Sequence, residues 1–221
     1  MAHWRHYALK GVAVTAMALA AAVIAASAAR PDASPAATSR QLSAELLIVR
    51  GDLLRLENEP ALSPLNRDGL NQRVEGALGL LPWLLRKAGD AQGADRLRPW
   101  QQRSFADAAN RAALIAEIDA TIARFPIDRD AFLAPAPTHG SEARAIHEAY
   151  CAGCHDGAGN GAAEVSLPPR DLFLMARQDP PDAFLARLVN GVKGDATIQF
   201  ANPLTDAQIG ALWMFYKRNN P

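Results

Sequence analysis

Apolar residues recur at helical spacing from Gln41 onward. Leu42, Leu46, Val49, Leu53 and Leu56 are four, three, four and three residues apart, which lines one face of a helix. "ENEPALSPLN" interrupts that stripe, because Pro60 and Pro64 cannot continue it. A second stripe follows at Leu70, Val74, Leu78, Leu81 and Leu85. Asp68 is expected as its N-cap, and Pro82 is expected to kink it or start a new segment. "AGDAQGAD" reads as a turn and Ala94–Gln102 as a shorter helix. Phe105, Ala109, Ala112, Ile115, Ile118, Ile122 and Phe125 give a third stripe, ended by Pro126. No strand-like alternation occurs in this half. The expectation is an all-α chain in which residues 41–131 form an antiparallel helical bundle closed over its leucines. Trp83 and Trp100 read as core or edge packing, and the many Arg and Asp residues as solvated faces. Histidine and cysteine are absent between residues 31 and 138, so no catalytic constellation is visible there.

The first 28 residues read differently. "MAHWRHYALKG" carries Arg5 and Lys10 and no acid, and a run of small apolar residues follows up to "ASA" at 26–28. A basic start, an apolar stretch and a small-x-small site describe a secretory signal peptide over residues 1–28. The alternative is a retained anchor, since the run from Gly11 to Ala29 is long enough to span a bilayer. Residues 29–40, containing "RPDASPAATS", read as a linker. The chain has 23 basic and 23 acidic residues, and loss of the leader leaves a formal charge near −2. That is no electrostatic footprint for nucleic acid.

Only two cysteines occur, and a bridge between residues so close would constrain little. "FLAPAPTHG" places a second linker at residues 132–138 and delivers the chain to Cys151-Ala152-Gly153-Cys154-His155. Cys-x-x-Cys-His is the attachment motif of c-type haem. Two thiols on one turn can each add to a vinyl group of the same porphyrin, and the next residue carries an imidazole beneath the ring to bind iron. A thioredoxin-like pair would need a βαβ context and no histidine. A zinc site would need two more ligands, for which His139 and His147 are near but irregularly spaced.

The flanks resemble a class I-type cytochrome c domain over residues 139–221. "SEARAIHEAYCAGCHDGAGNG" is similar to that family's first helix, haem motif and glycine-rich turn, and "LPPRDLF" to the proline-then-leucine segment beside the haem. "AFLARLVNGVKG" resembles the helix and glycine turn before the distal loop. "PLTDAQIGALWMFYKR" resembles the closing helix, capped by Thr205 or Asp206. The resemblance implies one covalent haem c on Cys151 and Cys154, His155 as axial iron ligand, and Leu172 beside the ring. It also implies that the carbonyl of Pro168 or Pro169 accepts the His155 Nδ1–H, a bond that fixes the tautomer. First and last helices would cross, Ala143 and Ile146 meeting Leu212 and Phe215.

One departure bears on function. The family's sixth ligand is a methionine in the loop before the closing helix, and "KGDATIQFANPLTD" contains none. Thr197-Ile198 stands where a Met-Pro pair is expected. Met175 is one candidate ligand, and an open site walled by Ile198 and Phe200 is another. Lys193 and Gln199 lie near that loop, Met214 suits core packing, and His139 and His147 read as exposed or linker histidines. The leading expectation is an exported monohaem carrier moving single electrons between periplasmic redox proteins, not an enzyme. Its helical half would serve as a docking or tethering module, and its N-terminal segment as a membrane tether if retained. The rival is a haem protein with a vacant sixth position that binds CO, NO or peroxide as sensor or enzyme. Arg170 or Arg177 would approach that position, without a distal His/Arg pair. A third reading makes the bundle the functional unit.

Overall fold

Ser63 and Pro64 mark where the first long helix gives way to the second. In this computed structural model the described residues are 35–59, 62–133, 140–157, 166–167, 169–191, 202 and 204–218. The signal-peptide expectation for residues 1–28 lies outside them. Helix α1 runs Pro35–Asn58 and α2 Pro64–Lys87. Proline suits the first turn of α2, where its missing N–H has no helical partner to lose. The Ser63 hydroxyl accepts the Asn66 N–H at 3.1 Å. Ser63 is therefore the N-cap, and the expected cap Asp68 lies inside the helix and exposed. Pro82 neither ends α2 nor starts a new element; it sits buried within it.

Asp90 caps α3, Ala91–Leu97, accepting the Gly93 N–H at 2.7 Å. A 3₁₀ helix covers Arg98–Gln102 and α4 covers Ala108–Ile122. Five residues of the third stripe, Phe105, Ile115, Ile118, Ile122 and Phe125, lie in or against the first apolar cluster, and two alanines do not. Leu114, Ile118 and Thr121 are buried, whereas Ala109 and Ala112 are exposed. The helix also ends four residues before Pro126, in a turn closed by the Phe125 N–H on the Thr121 carbonyl. Trp83, expected in the core or at its edge, is 52% exposed, with the Lys87 ammonium over its ring.

Short helix α5, Arg129–Leu133, precedes α6 at Gly140–Tyr150 and α7 at Ala152–His155. Then come α8, Leu172–Gln178, α9, Pro181–Asn190, and α10, Asp206–Arg218. The described residues contain helices, turns and no strand, so the fold is all-α. Both expected linkers are partly helical. Residues 35–40 belong to α1, with Thr38 buried, and Phe132 and Leu133 end α5.

Residues from Pro35 onward form one compact unit with two apolar clusters. The first holds every residue of the two leucine stripes, with Leu97, Phe105, Leu114 and Ile118. The second gathers α5, α6, α8, α9 and α10 around Phe132, Phe184, Trp213, Phe215 and Tyr216. Ala143, Ile146, Leu212 and Phe215 all join it, and α6 packs on α10. Helix α1 serves both clusters. Its stripe faces α2 and α4, while Ala44, Leu47 and Ile48 face the second cluster and α1 lies along α9.

Candidate functional site

The Cys-x-x-Cys-His segment is one helical turn appended to α6. The Cys151 N–H still bonds to the His147 carbonyl at 2.8 Å, and the Cys154 and His155 N–H groups both return to the Cys151 carbonyl. Residues three apart on such a turn share a face, so Cys151 and Cys154 are presented together. Both thiols are free; Cys154 is exposed and Cys151 half-buried. Gly157, at φ +69°, then lets the chain leave the turn through a conformation that other residues resist.

His155 Nδ1 lies 2.6 Å from the Arg170 carbonyl oxygen. A carbonyl only accepts, so Nδ1 carries the proton and the Nε2 lone pair is left to bind a metal. The expected partner was a proline carbonyl. Pro168 lies outside the described residues, and the acceptor is one residue beyond Pro169. The change follows from the local backbone. Asp171 caps α8, its side chain taking the Leu174 N–H at 2.8 Å, and this leaves the Arg170 carbonyl outside the helix and available to the imidazole. The donor set therefore fits c-type haem: two free thiols on one face and an imidazole with a fixed tautomer. Leu172 and Met175 are buried members of the second cluster. Met214 is partly buried on α10. His139, Lys193, Gln199 and the loop of Ile198 and Phe200 lie outside the described residues.

His147 is not the exposed histidine expected. It is 5% exposed, because it follows Ala143 by one helical turn and so faces α10. Its Nδ1 lies 2.9 Å from the Tyr216 hydroxyl, and its Nε2 lies 3.2 Å from the Asp156 carboxylate. A carboxylate accepts, so Nε2 carries the proton and the Tyr216 hydroxyl donates to Nδ1. Phe173, Phe215 and Tyr216 surround the imidazole, with ring centroids 5.5 to 5.8 Å away. Burial pushes the Cys151 thiol up; the neighbouring Tyr216 hydroxyl offsets part of that and the Asp156 carboxylate adds to it. Burial likewise raises the Tyr216 hydroxyl. With both its nitrogens engaged, His147 is a poor zinc ligand, and among the described residues no three His, Cys, Asp or Glu side chains are grouped to hold a metal ion.

A second polar assembly was not foreseen. Asp52 on α1 is fully buried. It is paired with Arg73 on α2 and with Arg187 on α9, whose Nη2 donates at 2.7 Å. Burial favours the neutral carboxyl, but Arg187 and Arg73 outweigh it and hold Asp52 below the usual carboxylate range. Arg187 Nε lies 3.5 Å from Asp179, and Arg170 donates to both Asp179 oxygens at 3.0 and 3.2 Å. A cavity of about 580 Å³ opens beside these groups, lined by Gly51, Arg55, Glu59, Arg170, Asp179 and Arg187 among others, and by none of Cys151, Cys154 and His155. The available signal was on α1. Asp52 and Glu45 are seven residues apart, two turns along one flank of the stripe, and both are buried. No family model, curated protein or solved structure matches the chain.

Proposed function

We propose that this chain is an exported monohaem c-type cytochrome that moves single electrons between periplasmic redox proteins. Its residues 139–221 form a class I-type haem domain, preceded by an antiparallel helical bundle at 41–131. The observation that carries the reading is the 2.6 Å bond from His155 Nδ1 to the Arg170 carbonyl. It gives the imidazole the tautomer an axial ligand needs, one residue beyond a pair of free thiols. Cys151 and Cys154 would hold the porphyrin as thioethers, His155 would supply Nε2, and Leu172 would pack beside the ring. Haem, when bound, supplies the one-electron iron chemistry. The protein then has only to attach, orient and exclude water, and no catalytic acid, base or nucleophile is required. The N-terminal 28 residues would direct export, with retention as a membrane tether the alternative.

The test is expression of the full chain in a host that matures c-type cytochromes, followed by extraction with acidified acetone. Haem should stay with the polypeptide, and Cys151→Ala/Cys154→Ala should lose it completely. A wild-type chain that releases its haem, or never acquires any, would sink the reading. A second reading, an open sixth position that binds a small ligand, has its own support. Met175 packs in the apolar cluster at 6% exposure, and the sequence between Gly191 and Asp206 lacks methionine. CO added to the reduced protein separates the two. No spectral change indicates a carrier with a protein sixth ligand; a prompt shift indicates a ligand binder.

A further inference from the structure

The Arg170 carbonyl that holds His155 belongs to a short non-helical stretch, 169–171, ahead of α8. One anchor on that stretch is local: the Asp171 cap of α8. Other anchors, on the Arg170 side chain and on Ser166 and Leu167 upstream of the stretch, lead back to the N-terminal helices. On one side, Asn66 Nδ2 of α2 donates to the Ser166 carbonyl at 3.2 Å across 100 residues of sequence. Gly69 lies so close that a Cβ there would stand 2.5 Å from the same oxygen and 2.8 Å from the Leu167 side chain. On the other side, the Arg170 guanidinium is held by Asp179, Asp179 faces Arg187, and Arg187 is bound to Asp52 on α1. Arg170 and Arg187 are 21% and 15% exposed in their side chains and Asp179 8%, so these ion pairs are sheltered from water. The hydrogen-bonded pairs, Arg170 to Asp179 and Arg187 to Asp52, are stronger and more directional than surface pairs. Arg187 Nε meets Asp179 at 3.5 Å as an ion pair without a hydrogen bond.

We infer that Asp52 is a positioning residue for His155, acting through Arg187, Asp179 and Arg170 on the carbonyl that receives the imidazole proton. The consequence for iron rests on the haem reading; the link between Asp52 and the imidazole does not. A firm Nδ1–H bond makes the imidazole a stronger donor and favours oxidised metal. Loosening the chain of ion pairs weakens that bond. Helices α1 and α2 then brace the segment whose carbonyl holds His155.

The experiment uses full-length protein labelled with ¹⁵N-histidine, reduced if it carries haem, and follows hydrogen exchange at His155 Nδ1. Arg187→Gln and Asp179→Asn cut the chain between Asp52 and Arg170. Arg73→Gln removes an equivalent guanidinium from Asp52 but lies off that route, so it controls for general loosening. Exchange should quicken about tenfold or more in Arg187→Gln and Asp179→Asn, and stay within about twofold of wild type in Arg73→Gln. Equal acceleration in Arg73→Gln and Arg187→Gln would overturn the inference, and so would unchanged exchange in all three, which would leave the Asp171 cap as sole anchor. If Arg187→Gln fails to fold, Asp179→Asn against Arg73→Gln decides. In haem-loaded protein the oxidised-to-reduced ratio at fixed potential should fall about threefold in Arg187→Gln, a rise of about 30 mV at 59 mV per tenfold. A chain that carries no haem would end the haem reading while leaving the exchange series able to decide this one.

Discussion

The two apolar clusters of this protein are built from different materials. The cluster of α1–α4 is mostly leucine, with Val49, Val74, Ala94, Phe105 and Ile118 filling between. The cluster around α6 and α10 is rich in aromatic rings and encloses His147, with Cys151 packed against it. Aliphatic contacts attract without direction, so the leucine cluster needs volume and little else. Aromatic residues with polar edges add a demand that each buried donor and acceptor find a partner. His147, Tyr216 and Asp156 meet it among themselves, whereas the buried Trp213 Nε1 has no hydrogen-bond partner. Both cores bury apolar surface, and the second also places polar atoms beside the thiols. Asp52 stands at the join, on α1, which serves both.

That join should give the largest effect. Asp52→Asn would leave Arg73 and Arg187 facing a neutral amide in a buried site, and should cost about 3–5 kcal/mol in urea unfolding. The same residue sets an acid limit. Its carboxyl is held low in the folded protein, so below the usual carboxylate value the unfolded chain takes up the proton first. Its contribution is therefore complete above about pH 4 and lost as pH falls through the lower folded value. Stability measured against pH should show that loss in wild type and a flatter acid limb in Asp52→Asn. If both clusters unfold together in wild type but separately in the variant, the join is what couples them.

Next in size is Leu78→Ala, at the centre of the leucine cluster, expected to cost about 3 kcal/mol through lost burial and a residual cavity. A cost below about 1 kcal/mol would mean that this core can collapse around the gap and is less tightly packed than its burial indicates. Smallest is Tyr216→Phe, which keeps the ring and removes the hydroxyl that bonds His147. It should cost about 1–2 kcal/mol. No measurable loss would erase the distinction between the clusters, because it would show that the polar edges are not needed where they are.

Several elements were legible because their cause is local. Two of the three apolar stripes named their buried faces residue by residue, since helical periodicity is a property of neighbours in sequence. The closing helix was placed by Thr205, whose hydroxyl takes the Gln208 N–H while the Gln208 side chain returns to the Thr205 N–H. Misreadings arose where two local signals competed or a distant one decided. Ser63 and Asp68 both resemble caps, and Pro64 at the first turn settled it for Ser63. The third stripe holds for Phe105, Ile115, Ile118, Ile122 and Phe125 and fails at Ala109 and Ala112, because alanine is apolar enough to join a stripe yet small enough to sit in water.

By itself the sequence determined that the chain is helical, which stripes bury the first core, and that two thiols and an imidazole share a single turn. Each follows from spacings of seven residues or fewer, over which backbone geometry is fixed by the helix alone. Only the tertiary structure decided that His147 is buried, that Arg170 and not a proline accepts the His155 N–H, and that Asp52 is paired with Arg187. Those partners lie 69, 15 and 135 residues apart. No periodicity relates positions so separated; they meet because burying two apolar faces of α1 leaves its charged flank no solvent, and the carboxylate there must take the guanidinium that α9 brings.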